Sequence, residues 1–207
     1  MNKLYKFIIV IGILCVAGCT NLTSKDAYHS SNIQSIPPSQ PIYRVPTSVN
    51  MNYPPNYGVI STTLVPQNIQ DMVIPYAKMY AIDPLIIYAI IKAESNFNPS
   101  VKSHANCYGL MQLGLPTAQD VDPSVSVQDL FDPNTNIRIG TIFMKYCLMK
   151  YPNNLGYAVS AYNAGLGSVQ RWVKANPNFT INDIPYKETR NYVQAIMNNY
   201  LKYSNLI

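Results

Sequence analysis

Charge is scarce in this chain. Only 12% of its 207 residues are Asp, Glu, Lys or Arg, and the formal net charge is +5. No basic run occurs anywhere, which excludes the electrostatic footprint of a nucleic-acid-binding domain. Two histidines and four scattered cysteines form no metal set, so neither metal nor cofactor is expected. No glycine-rich phosphate loop follows a strand, and no Ser-His-Asp arrangement stands out. Internal repeats and convincing alternating strands are also missing. These absences leave a mainly α protein whose chemistry rests on few ionisable groups.

Hydrophobic residues make up 48% of the chain, enough for a sizeable core. The first of them have a different purpose. "MNKLYK" is a short basic segment, and "FIIVIGILCVAG" an apolar run of about a dozen residues. That is signal-peptide length and short for a spanning helix. The run ends in "VAGC", Val16 to Cys19, which resembles a bacterial lipobox, with Val16 where Leu is commoner. Cys15 is a rival, but Leu14 before it is too bulky for cleavage. The resemblance implies removal of residues 1–18 and lipidation of Cys19; an ordinary signal peptide with an incidental Cys is the alternative. Each buried CH₂ of an acyl anchor adds about 0.8 kcal/mol. Thr20 stands where Asp would signal inner-membrane retention, so an outer-membrane lipoprotein facing the periplasm is implied. Loss of Lys3 and Lys6 lowers the net charge by two, to a mild +3. Cys107 and Cys147 remain. An oxidising periplasm permits a disulfide between them, and two buried thiols are the alternative.

Residues 19–66 read as a tether. Pro37, Pro38, Pro41, Pro46, Pro54, Pro55 and Pro66 recur among Ser, Asn and Gln, and no helical period persists. Residues 67–207 read as one domain. "NIQDMVIPYAKMY" places Ile69, Val73, Tyr76 and Tyr80 on one face, with Pro75 expected to kink or restart the helix. Asp83–Pro84 and Asp132–Pro133 are helix starts, a cap followed by Pro at the first helical position. The first opens a helix running to about Ser95, where Asn98–Pro99 stops it. The second opens one burying Ile137, Phe143 or Met144, Cys147, Leu148 and Tyr151. Two short helices follow. A last amphipathic helix carries Val193, Ile196, Met197, Tyr200 and Leu201. The fold class is therefore all-α, with irregular loops where a site would sit.

In "LIIYAIIKAES" one carboxylate, Glu94, ends a strongly apolar run. Burial disfavours the anion and turns a carboxyl into an acid near neutral pH. Taken alone, the segment also fits a solvated Glu in a last turn beside Lys92, and that is the commoner case. Four segments decide it together: "AESNFNPSVKS", "CYGLMQL", "SAYNAG" and "IPYKETRNYV". In this order, over roughly residues 67 to 203, they resemble the soluble-lytic-transglycosylase (SLT) domain, glycoside hydrolase family 23, which has a goose-lysozyme-like fold.

That resemblance implies that Glu94 is the catalytic acid/base. It implies that Ser103 positions the substrate's N-acetyl group, and that Gly109 lets the backbone pass close to the sugar. Gln112 would hydrogen-bond in the cleft. Tyr162 would orient the carboxyl, and Asn163 would bind the sugar or brace its loop. Glu188 would bond groups near the cleft or pair with Lys187 or Arg190. His104 reads as a surface residue. Gly114 departs from a common Met, thinning one wall. Tyr192 lies in the last motif with no role assigned. The remaining tyrosines and Trp172 suit stacking on sugars, although packing is the commoner use of such residues.

Most glycosidases use two carboxylates. Here Asp83 is spent as a cap, and Asp120, Asp122 and Asp129 fall in a loop region. The family resembled needs only one acid. It cleaves the MurNAc–GlcNAc β-1,4 bond of peptidoglycan without water and leaves a 1,6-anhydro end. The partners implied are peptidoglycan glycan strands and, through a lipid anchor, the membrane. A hydrolytic muramidase and a non-catalytic wall-binding factor of an envelope or secretion assembly are the alternatives.

Overall fold

A computed structural model describes residues 57, 58 and 60–206. The signal segment, Cys19 and most of the tether lie outside the described residues. Among the described residues seven α-helices carry the fold: α1 (Gln67–Met79), α2 (Pro84–Ser95), α3 (Leu115–Val121), α4 (Pro133–Lys150), α5 (Leu155–Ala164), α6 (Leu166–Ala175) and α7 (Lys187–Ser204). Two-residue strands β1 (Cys107–Tyr108) and β2 (Leu113–Gly114) form a small antiparallel hairpin, with Cys107 opposite Gly114. Short 3₁₀ turns cover Asp129–Phe131 and Ile181–Asp183.

α2 is the axis of the core. Ten of its twelve residues are buried, as a helix with almost no polar face must be. Its start is built as expected: Asp83 accepts from the Leu85 N–H at 2.9 Å, and Pro84 has no N–H to lose. Asp83 also accepts from the Tyr200 hydroxyl at 2.9 Å, tying the start of α2 to the end of α7. The two helices therefore run antiparallel, and the start of α7 lies beside the end of α2. Asp132 caps α4 in the same way through the Thr135 N–H, at 2.8 Å. Lys145, wholly buried in α4, donates to the Ala81 carbonyl at 3.0 Å and pins the α1–α2 turn. Burial holds its ammonium below the usual lysine range.

Three expectations change. Pro75 does not break α1, which continues through it to Met79. Pro75 is exposed, so the carbonyl it cannot serve faces water, while Ile69, Val73 and Ala77 bury the opposite face. The folded unit also reaches back past residue 67. Ile60 and Val65 are fully buried, and the Gln70 amide donates to both of their carbonyls, at 3.0 and 2.9 Å. On α7 the buried stripe is Thr189, Tyr192, Val193, Ile196 and Tyr203, and Leu201 points to solvent.

Candidate active site

The carboxyl of Glu94 lies one residue from the C-terminal end of α2. It is only 3% exposed. α2 then ends in two consecutive left-handed residues, Asn96 (φ 50°) and Phe97 (φ 67°). Such a conformation is costly for a bulky residue, and clusters of it mark sites where the chain must turn sharply. The turn lets the acid sit at the end of an apolar helix instead of inside it.

Burial pushes the Glu94 carboxyl up from its ordinary 4.5 to about 8; the nearby Tyr192 hydroxyl pulls the other way, and the neighbouring Cys107 adds a smaller upward push. Its Oε2 has no hydrogen-bond partner among the described residues. A buried carboxylate oxygen left unpaired is expensive, whereas a protonated carboxyl is much less so. The geometry thus favours the neutral acid and leaves one oxygen for a ligand.

Cys107, which acts on the acid, opens the segment 107–114, held from several sides. The Ser103 hydroxyl accepts from the Cys107 N–H at 3.0 Å. Gln112, itself left-handed (φ 47°), donates its amide to the carbonyls of Val101 (3.0 Å) and Gly109 (2.8 Å). The Tyr162 hydroxyl donates to the Met111 carbonyl at 3.0 Å, with its ring 5.1 Å from Phe143. Buried Asn136 of α4 accepts from the Met111 N–H and donates to the carbonyls of Tyr108 and Leu130, each at 2.8 Å. A buried amide with three good partners makes a rigid clamp.

The structure brings Ser103, Gly109, Gln112 and Tyr162 together on or against this segment, where each contacts the protein. The tyrosine whose hydroxyl acts on the acid, drawing it toward the anion, is Tyr192; Tyr162 donates to the Met111 carbonyl and braces that loop. Gly109 (φ 75°) is required by the protein, because a Cβ there would strike the Leu130 carbonyl and the Asn136 amide. The donors of Gln112 point into the loop. Asn163 is buried beside Tyr162 on α5.

Glu188 stands apart, exposed in the first turn of α7, and pairs with neither Lys187 nor Arg190. Arg190 donates instead to the Ile184 carbonyl. A negative charge at a helix N-terminus is favourable there in its own right.

Cys107 and Cys147 are buried free thiols, so the bridge considered from sequence is not formed. β1 turns Cys107 toward Glu94, while Cys147 faces the core near Tyr151, where burial pushes its thiol well up.

Sequence reasoning missed Tyr192 and Asn136 as site-building residues. Tyr192 had a signal, standing one helical turn after Glu188 in the last motif. Asn136 had a fainter one, as an amide directly before a buried apolar position.

Residues 71–185 match the model of the Transglycosylase SLT domain. The chain belongs to the SLT transglycosylase family. It is 34% identical over 138 residues to the soluble lytic murein transglycosylase of Salmonella typhimurium, covering 61% of this chain and 21% of that one. It is 32% identical over 160 residues to the membrane-bound lytic murein transglycosylase C of Haemophilus ducreyi, covering 63% of this chain and 44% of that one. The 70 kDa soluble lytic transglycosylase of Escherichia coli superposes with a TM-score of 0.61 at 32% identity, over 65% of this chain and 24% of that one. An inactive glutamate-to-glutamine mutant of Slt from Pseudomonas aeruginosa superposes with a TM-score of 0.60 at 30% identity, over 66% and 24%. The chain thus spans about a fifth of the soluble relative's length and under half of the membrane-bound one's. The SLT family and the mainly α fold are those the motifs implied.

Proposed function

We propose that this SLT-family protein is a peptidoglycan lytic transglycosylase. The observation that carries the reading is Glu94: one buried carboxyl, held neutral near physiological pH, with the Tyr192 hydroxyl acting on it and one oxygen unpaired. In the proposed reaction Glu94 donates its proton to the glycosidic oxygen leaving C1 of MurNAc. The N-acetyl oxygen of the same sugar stabilises the cation at C1. Glu94, now an anion in a desolvated site, takes the proton of the C6 hydroxyl, and O6 closes on C1. A 1,6-anhydro end forms, no water is consumed, and the acid returns to its starting state. An acid titrating near the working pH suits both proton transfers. Tyr192 stabilises the anion between them, and Ser103, Gln112, Tyr162 and Asn163 hold the sugar or the loop beneath it.

Residues 1–18 would direct export and Cys19 would carry the anchor, so that the domain works on the wall from the periplasmic face of the outer membrane. The relatives named membrane-bound support membrane attachment in general.

Digestion of purified sacculi with the protein, read by mass spectrometry, tests the activity. Release of 1,6-anhydromuropeptides is expected. Products with reducing ends alone would make it a hydrolytic muramidase, and binding without cleavage a wall-binding factor.

A further inference from the structure

Tyr186 occupies the N-cap of α7, a position where helices favour Ser, Thr, Asp or Asn, and it supplies no side-chain cap. Its ring is 52% exposed, so it does not serve the core either. A residue that breaks a local rule without gaining burial points to a use outside folding.

The ring is nonetheless held firmly. Trp172 of α6 meets it edge-on, with centroids 5.5 Å apart at 71°. Trp172 in turn stacks on Phe179 at 6.0 Å and 28°, and Phe179 packs on Tyr157 at 5.7 Å. The Tyr157 hydroxyl donates to the Phe179 carbonyl and closes the row. Tyr186 is therefore the wet end of an aromatic chain anchored at buried Phe179. It lies six residues before Tyr192, so about 9 Å along the helix axis and about a third of a turn around it from the tyrosine that acts on the acid. Lys187 and Glu188, both exposed, follow it directly.

We infer that Tyr186, backed by Trp172, is a stacking platform for a sugar ring of the glycan strand, at a subsite outward from Glu94 along α7. An aromatic ring held on one side by such a contact and open to solvent on the other offers an apolar surface to the C–H side of a pyranose, while the polar groups beside it meet the hydroxyls. Because the strand is a polymer, a contact beyond the bond being cleaved would hold long chains in register without touching the reacting atoms. This rests on the glycan-cleaving reading above, but binding can be measured without cleavage.

Trp172 is the single tryptophan of the chain and touches Tyr186, so its fluorescence reports the platform directly. The protein carrying Glu94→Gln is titrated with a stem-free GlcNAc–MurNAc oligomer, alone and with Tyr186→Ala or Tyr186→Phe added. Saturable change in Trp172 emission is expected in the parent and with Tyr186→Phe. With Tyr186→Ala the affinity should fall about three- to tenfold, the range of one aromatic contact, with the circular dichroism unchanged. Equal affinity with Tyr186→Ala, or loss of binding with Tyr186→Phe, would overturn the platform. Absence of anhydro products from the unmutated protein would instead remove the catalytic reading on which it rests.

Discussion

Replacing Glu94 with Gln should stabilise the protein by an amount that grows with pH. The unfolded chain releases the Glu94 proton near 4.5, while the folded chain keeps it until about 8. Between these values the folded state binds more protons than the unfolded one, so Glu94 makes stability fall as pH rises. This is the reverse of a salt-bridged carboxylate. The cost at pH 7 is about 3 kcal/mol, and it grows by about 2.5 kcal/mol between pH 5 and pH 7. Gln has nearly the same shape and no titration, so any packing difference it introduces is constant with pH. The slope of the difference therefore isolates the acid. Thermal denaturation of both proteins at stepped pH and fixed salt should show the Tm gap widening by about 5–10 °C between pH 5 and pH 7. Above pH 8 the gap should level off, because the folded state then ionises too. A gap that stays constant with pH would mean that the folded protein holds Glu94 charged, and the proposed acid would lose its basis. Activity should vanish in the mutant at every pH.

Other groups give independent checks. Tyr192→Phe removes the hydroxyl that favours the anion of Glu94, so the fall of kcat/KM at alkaline pH should move upward by up to about one pH unit, whereas Tyr162→Phe should leave that limb in place. Ellman titration should find no reactive thiol in the native protein and both Cys107 and Cys147 after unfolding without reductant; no thiol after unfolding would restore the bridge. Asn136→Leu strands three backbone groups of the clamp and should cost about 3–6 kcal/mol in urea denaturation; a loss under 1 kcal/mol would show that the loop holds itself.

Much of this was legible in the sequence, for reasons that differ by residue. Asp83–Pro84 and Asp132–Pro133 announce their helices because capping and proline geometry act within three residues. The buried character of α2 could be read because its apolar run is continuous. Glu94 was ambiguous in its own segment, since periodicity cannot say whether the last turn of a helix meets water or another element. The packing of α7 across α2 decides it, and that contact joins residues about a hundred positions apart. The same limit hid Tyr192, whose place beside the acid follows only from the packing of α7 across α2. Gly109 was legible as a glycine that must stay a glycine, but what crowds it is Asn136, far along the chain. The thiols were undecidable without a distance, because β1 and α4 turn their side chains in different directions.

The remaining acids among the described residues bear on whether Glu94 acts alone. Asp83 caps α2 and holds Tyr200. Asp132 caps α4, and Asp183 closes a capping box with Thr180. Asp122 is bonded by Ser124 and Arg138, and Asp129 by Ser126. Hydrogen bonds hold Asp122, Asp129 and Asp183 below the usual carboxylate range, which suits anions that keep turns in shape and unsuits them as proton donors. Asp71 accepts from Gln67 on the surface of α1, and Asp120 and Glu188 are exposed. Only Glu94 combines burial with an uncommitted oxygen. A hydrolytic enzyme of the usual kind needs a second carboxylate facing the same bond, either to activate water or to attack the sugar. A site with one such acid favours a reaction in which the substrate supplies both the stabilising group and the nucleophile, as the N-acetyl oxygen and the C6 hydroxyl do in anhydro-sugar formation. The charge-poor composition and the proposed chemistry are thus connected. A chain with few acids, those among its described residues other than Glu94 being spent on helix ends and turns or left at the surface, is suited to a reaction that asks one carboxyl to give a proton and take another.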